Sequence, residues 1–334
     1  MKIFITMPKG SIKDTFITKR SLDALKNLGE VVENPLERQL SEDEIIDMHS
    51  DSDILLTGWG TENLGKNIIS KMPNLKMIAY TGGSIANVVT DDVFEKGIVV
   101  TSGNNVFAKS VAEGCLSYTL CALRRLEFYM KMVRDGDWHD GTFYNRGLIG
   151  KKVGLVGFGT IAKYYAELLR WFDVELLIYS SYLSDEEAAK YGAKCASLEE
   201  IFKTCEVVSI HSALNEKNKG LVSRELMEML KPNTLLVNTS RGEVVDEVAM
   251  EELLADNRFF AALDVFSQEP IPPESKLREL ENVVLIPHMG GPTIDMREQV
   301  TLALAKDIER FLDGQKLEHQ VNSQNLKYGS KKLS

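Results

Sequence analysis

Val153-Gly-Leu-Val-Gly157-Phe-Gly159-Thr160-Ile161-Ala162 reads G-x-G-x-x-A between an apolar, strand-like run and a helical segment. In a parallel α/β sheet this turn brings a pyrophosphate to a helix N-terminus. Gly157 permits the tight turn, Gly159 lets the backbone approach the anion, and Ala162 keeps the helix close to the sheet. The amides around Thr160 and Ile161 then face that anion. A bare match of this kind is only a glycine-rich turn. The strand before it, the helix after it and the next strand at Val174–Tyr179 make it a dinucleotide fingerprint. One element departs. The second strand ends Ile178-Tyr179-Ser180-Ser181-Tyr182, so Ser180 stands where a ribose-binding carboxylate is usual. Serine neither holds two ribose hydroxyls as a carboxylate does nor repels a 2′-phosphate, and no Arg sits in the turn. NAD is the expected cofactor, with NADP left open.

Outward from the fingerprint, strand-like runs recur in both directions. Upstream they are Lys2–Met7, Val31–Glu33, Ile54–Thr57, Lys76–Thr81 and Ile98–Thr101, with helical segments between them. From Gly150 a second series follows: Val153–Val156, Val174–Tyr179, Val207–His211, Thr234–Asn238, Ala261–Val265 and Val283–Ile286. This rhythm predicts an α/β fold of two doubly wound parallel-sheet domains. Between the series a single helix is expected over Val106–Asp135, closed by Gly136. It is apolar almost all round, which implies cover on more than one side by the domain junction or a second subunit. A last helix is expected from Thr293 to Leu312, and a polar, mobile tail from Ser323 to Ser334.

At 334 residues, two domains are the default. The net charge of −10 and the lack of a basic face argue against a nucleic-acid partner. No apolar run approaches a membrane span by this reading, and Met1–Lys9 reads as a first strand rather than a leader. The four cysteines (Cys115, Cys121, Cys195, Cys205) form no C-x-x-C and have no histidine at ligand spacing, so no metal site is expected. They read as buried free thiols. A cytoplasmic protein is the expectation.

Three strand-end pieces carry the chemistry: Val237-Asn-Thr-Ser-Arg-Gly-Glu-Val-Val-Asp246, Ala262-Leu-Asp-Val-Phe-Ser-Gln-Glu-Pro270 and Pro287-His-Met-Gly-Gly291. The carboxyl ends of parallel strands are where ligands bind. Arg241, Glu269 and His288 are therefore read as one convergent set. A guanidinium fork grips a carboxylate bidentately, which Lys does not do. A carboxylate against an imidazole favours the protonated ring and fixes its orientation, as a general acid for carbonyl reduction requires.

From the Gly82-Gly83-Ser84 loop to Pro292, the chain resembles the D-2-hydroxyacid dehydrogenases, the family of phosphoglycerate dehydrogenase and glyoxylate/hydroxypyruvate reductase. The resemblance implies that Arg241 of Thr-Ser-Arg-Gly binds the substrate carboxylate and carbonyl, and that Glu269 pairs with His288. It implies that Asp264 contacts the nicotinamide carboxamide, that Thr239 lies along the cofactor, and that amides near Gly83 and Ser84 receive the substrate carboxylate. It also implies a Rossmann NAD(P)-binding domain, residues 103–294, inserted into a flavodoxin-like substrate domain of residues 1–102 and 295–334. The helix at 106–135 would build a homodimer interface.

Three stretches depart from the family's pattern, the first and third bearing on the substrate and the second on a cofactor-side loop. Phe107 stands where the family often places Asn, and the family's His-x-Pro-Leu is His211-Ser-Ala-Leu214 here. The loop Leu56-Thr-Gly-Trp59-Gly-Thr-Glu62 has an indole and an acid but no basic residue, where phosphoglycerate dehydrogenases tend to carry arginines. Trp59 and Phe107 then wall an apolar pocket suited to an unphosphorylated 2-oxo acid, unless Lys66 or Lys109 supplies a cation. The expected reaction interconverts a 2-oxo acid and a D-2-hydroxy acid. The rivals are phosphoglycerate dehydrogenase, formate dehydrogenase (whose subgroup carries Gln at the position of Glu269) and a dinucleotide-sensing corepressor.

Overall fold

The computed structural model describes residues 1–61 and 63–330. The chain forms two compact units, Met1–Ala108 with Pro292 onward, and Lys109–Gly291. They change over at residues 108–109 and 291–292, against 102–103 and 294–295 expected from the resemblance. In chain order the strands are β1 (Lys2–Ile5), β2 (Glu30–Glu33), β3 (Ile54–Thr57), β4 (Met77–Tyr80), β5 (Val99–Ser102), β6 (Lys152–Val156), β7 (Glu175–Tyr179), β8 (Ala193–Cys195), β9 (Val207–Ile210), β10 (Leu235–Asn238), β11 (Phe260–Leu263), β12 (Val283–Leu285) and β13 (Gln320–Val321).

In the outer unit the sheet runs β13-β5-β4-β3-β1-β2. All of it is parallel, as expected, except the two-residue β13, which pairs antiparallel with β5. Without β13 the order is the flavodoxin-like 2-1-3-4-5. Successive side chains point to opposite faces of a strand. Phe4, Leu55, Ile78 and Val100 accordingly enter one core, and Ile3, Ile54, Met77 and Ala79 the other. Because helices cover both faces, β3 and β4 are buried along their whole length and read as continuous apolar runs rather than alternations. The order reverses between β1 and β3, so the crevice for a ligand lies past their carboxyl ends, where the chain continues to Met7 and Trp59.

The inner unit has seven parallel strands in the order β12-β11-β10-β9-β6-β7-β8. This is the Rossmann order 3-2-1-4-5-6 with one strand added, and it reverses between β6 and β9. Val153, Leu155, Ile178, Val207 and Val237 pack with Ala162, Tyr165, Ala166 and Leu169 of the helix Thr160–Leu169. Ala162 is fully buried, as the third fingerprint position requires.

Other expectations need correction. Arg125 takes left-handed dihedrals (φ 52°, ψ 43°), so the expected 106–135 helix is two, Asn104–Arg124 and Leu126–Arg134. Its guanidinium sits over the Phe128 ring at 4.3 Å and near Tyr144 and Phe260. The first helix is long and apolar enough to cross a membrane, contrary to the sequence reading, yet Ala112, Cys115, Ala122 and Leu123 lie in the inner unit's core. In the second helix no residue is buried. The tail is ordered further than expected. Asn322 caps a helix at Ser323–Tyr328, and Leu326 is buried in the core that holds Phe4. Residues 331–334 of that tail, and Glu62, lie outside the described residues. Of the four free cysteines, Cys115 and Cys205 are buried, while Cys121 and Cys195 are half-buried.

Candidate active site

The fingerprint turn sits at the point where the inner sheet reverses. Gly157 has φ 97°, and a Cβ there would lie 2.7 Å from the Ser212 amide nitrogen and 2.8 Å from the His211 carbonyl carbon. The close approach of the segment after β9 therefore excludes any side chain. Ser212 Oγ and His211 N both donate to Val156 O, at 3.1 and 2.8 Å, which ties the two strands together at the crevice. A Cβ at Gly159 would meet no protein atom within 4 Å. Glycine there answers to the approach of something other than this chain. The helix that follows has no side-chain cap, so its first amides, at Thr160 and Ile161, are oriented for an anion. These features fit a dinucleotide pyrophosphate. Ser180 ends β7 half-buried, its hydroxyl accepting from the Tyr182 amide at 3.4 Å. The buried Thr239 hydroxyl, near the Cys115 thiol, has no hydrogen-bond partner among the described residues.

Glu269 and His288 meet. His288 Nδ1 lies 2.6 Å from Glu269 Oε2, and Glu269 Oε1 accepts from the Phe266 amide at 3.1 Å. Both carboxylate oxygens are thus held, and Nδ1 must carry the proton of the shared bond, which leaves Nε2 for a ligand. Arg241 joins them through its backbone. Gly242 packs so tightly that a Cβ would lie 2.0 Å from the Phe266 carbonyl carbon, which seats the Arg241 loop on the loop that orients Glu269. Asn238, buried at the end of β10, shapes this turn. Its Nδ2 donates to Arg241 O at 3.0 Å, and its Oδ1 accepts from Ser240 N and Ser240 Oγ.

Asp264 is 1 % exposed. It accepts from Met289 N at 2.6 Å and Gly290 N at 2.8 Å, one oxygen each. The carboxylate thereby holds the turn that carries His288, itself at φ 53°. The expected contact with a nicotinamide carboxamide would be additional to these bonds. Sequence reading found Asp264 but not this role, and it missed Asn238. The available signal was a polar residue closing an otherwise apolar strand.

Beside the cofactor turn runs a polar chain that is buried at Cys115 and Ser209 and half-buried at His211: Cys115 Sγ to Ser209 Oγ at 3.4 Å, and Ser209 Oγ to His211 Nε2 at 2.9 Å. Burial pushes the Cys115 thiol up to about 11 and His211 down from 6.5 to about 4. The native imidazole is therefore neutral, whereas the unfolded one takes a proton below its ordinary value. Stability from this group is complete above pH 6.5 and lost as pH falls toward 4. The loss is on the order of 3 kcal/mol. Urea melts at pH 7 and pH 4.5 should show a smaller loss for His211→Asn than for wild type. Equal losses would contradict it.

In the outer unit, Trp59 and Phe107 do come together, with ring centroids 6.0 Å apart at 82°, and Phe16 meets Trp59 edge-on at 5.1 Å. Gly83 and Ser84 follow β4 on the ligand edge of that sheet. Ser84 Oγ donates to Ser330 O at 3.0 Å, so the tail packs on this loop. Lys66 pairs with Asp92 at 3.6 Å, and Lys109 Nζ lies 5.5 Å from the Tyr164 ring centroid. The cation beside Trp59 is one that sequence reading missed, Arg297, whose guanidinium carbon is 5.3 Å from its ring centroid. Among the described residues no group of three His, Cys, Asp or Glu side chains is placed to hold a metal ion.

A pyrophosphate turn at the reversal of a seven-stranded parallel sheet, with a carboxylate-oriented imidazole at the strand ends of the same unit, defines a dinucleotide-dependent oxidoreductase. Residues 116–290 match the family described as "D-isomer specific 2-hydroxyacid dehydrogenase, NAD binding domain". The chain belongs to that family. It is 31% identical to a glyoxylate reductase of Thermococcus litoralis over 80% of this chain and 82% of that one. It is 30% identical to a D-3-phosphoglycerate dehydrogenase of Methanocaldococcus jannaschii over 91% of this chain, and spans 58% of that protein's length. The solved structure of an NADPH-dependent glyoxylate/hydroxypyruvate reductase from Sinorhizobium meliloti shares the fold, with TM-score 0.77, 23% identity and 99% of each chain covered.

Proposed function

We propose that the chain reduces an unphosphorylated 2-oxo acid to the D-2-hydroxy acid, with Arg241 binding the carboxylate and carbonyl and His288 protonating the carbonyl oxygen from Nε2. The bound nicotinamide supplies the hydride. Glu269 keeps Nδ1–H engaged through the transfer, so the proton given up is the one on Nε2. The supporting observation is the 2.6 Å contact between His288 Nδ1 and Glu269 Oε2, with the second oxygen of Glu269 held by Phe266 N. In this reading Thr160, Ile161, Thr239 and Asp264 serve the cofactor, Gly83 and Ser84 offer amides to the substrate carboxylate, and Trp59 and Phe107 wall the pocket. NAD(H) is preferred over NADP(H), because no Arg follows β7 near Ser180 to bind a 2′-phosphate. A cytoplasmic setting suits four unpaired cysteines.

The lysines that could have neutralised a phosphate are engaged elsewhere, Lys66 with Asp92 and Lys109 over Tyr164. Arg297 is one cation beside Trp59, and a buried dianion facing a single positive charge is costly. The deciding assay is a panel of 2-oxo acids that includes 3-phosphohydroxypyruvate, each with NADH and NADPH. An unphosphorylated acid with NADH should win by about tenfold or more in kcat/KM, roughly 1.4 kcal/mol. A preference for the phosphorylated acid would make the chain a phosphoglycerate dehydrogenase. Dinucleotide binding without turnover would favour the corepressor reading.

A homodimer belongs to the same proposal. Met130, Val133, Trp138, Phe143 and Ile149 are each more than half exposed along one continuous stretch, an apolar surface of the kind that a second subunit covers. Sedimentation at micromolar concentration should give about twice 37.4 kDa, and a mass of 37.4 kDa would count against it.

A further inference from the structure

Arg297 lies four residues into the helix Ile294–Leu312, half-buried. Its guanidinium carbon is 5.6 Å from the Phe16 ring centroid and 5.3 Å from that of Trp59. Nε donates to Pro292 O and one terminal nitrogen to Thr15 Oγ1, both at 3.3 Å. Among the described residues no carboxylate lies within 4.0 Å of it. The acid next in sequence, Glu298, faces Arg20 and Thr18 instead. A guanidinium half withdrawn from water, with no counter-charge among the described residues, loses hydration that two long hydrogen bonds and two ring faces replace only in part. An anion brought by a ligand would complete it. Trp59 places it past the carboxyl end of β3, beside the reversal between β1 and β3, where an open α/β sheet takes its ligand.

We propose that Arg297 is a specificity-determining residue that binds a second carboxylate at the far end of the substrate, so that the preferred substrates are 2-oxo diacids. This rests on the reading that the chain reduces 2-oxo acids and that Trp59 walls the pocket. The donor count decides between anions. Two of the five N–H groups are committed, to Pro292 O and Thr15 Oγ1, and the three left on the two terminal nitrogens suit a single carboxylate. A phosphate dianion would ask for more cations than this wall holds. Trp59, exposed and backed by the buried Phe16 and Phe107 rings, offers an aromatic surface to the methylene groups between the two carboxylates.

The test compares acids matched in length, oxaloacetate with 2-oxobutanoate and 2-oxoglutarate with 2-oxopentanoate, on wild type, Arg297→Met and Arg297→Lys, with thermal melts of each. Wild type should favour the diacid of a pair by about tenfold or more in kcat/KM. Arg297→Met should abolish that preference through the KM of the diacid, while the neutral-tailed acid stays within about threefold. Arg297→Lys should retain part of it, since the charge remains without the fork. Equal rates on both acids in wild type, or a parallel fall on both in Arg297→Met, would overturn the proposal and leave Arg297 as a clamp on Trp59. If Arg297→Met does not fold, the wild-type ratio and Arg297→Lys decide. A wild type that reduces no 2-oxo acid at all would overturn the dehydrogenase reading, and this proposal with it.

Discussion

Arg241→Lys should lower kcat/KM for every 2-oxo acid by about 100-fold or more, roughly 3 kcal/mol of transition-state binding, while the dissociation constant for NADH stays within about threefold. The planar fork offers two parallel N–H groups to a carboxylate, and an ammonium offers one point charge. The backbone that presents the fork has anchors besides the bond from Arg241 Nη1 to Ser240 O. Asn238 Nδ2 bonds the carbonyl of residue 241, and Gly242 packs on the Phe266 backbone. A loss in this variant therefore reports on the guanidinium rather than on a collapsed loop. Near-normal kcat/KM would remove Arg241 from the site.

Glu269→Gln should lower the rate of reduction at neutral pH by about 100-fold. The amide has one oxygen where the carboxylate uses two, so it can accept from His288 Nδ1–H at 2.6 Å or from Phe266 N at 3.1 Å but not from both. The negative charge of the acceptor is lost as well, and with it the charge-assisted bond that orients the ring. A rate of reduction near that of wild type would mean that the carboxylate does not govern the proton at His288.

The parallel core was legible because its strands are buried on both faces. Ile-Leu-Leu-Thr of β3 and Leu-Leu-Val-Asn of β10 are apolar runs bounded by polar turns, a local signal. The edge strands β8 and β13 have three and two residues, too few for a pattern, and exist because a neighbouring strand offers unpaired backbone groups. The break at Arg125 had no local signal either. Arginine is a good helix former, and the rings under its guanidinium include Phe260, far along the chain.

The candidate site divides the same way. Gly157, Gly159, Glu269 and His288 stand in short motifs whose spacing carries their chemistry. Arg297 reads in sequence as one charge on a helix surface, and its partners Phe16 and Trp59 come from the other end of the chain. Asp264 was found through its motif, but its bonds to the Met289 and Gly290 amides depend on two strand ends lying side by side. Residue types announce chemistry locally, while the contacts that aim them are set by the sheet order.

The central claim is that this chain moves a hydride from a nicotinamide to the carbonyl carbon of a 2-oxo acid while His288 delivers the proton. Incubating the protein with NADH deuterated at the nicotinamide C4 position and a panel of 2-oxo acids, followed by mass and chiral analysis of the product, tests it directly. The expected product is a D-2-hydroxy acid with deuterium on its second carbon, formed by wild type and lost in His288→Asn with NADH binding retained. A product without that deuterium, an L-configured product, or full activity in His288→Asn would contradict it.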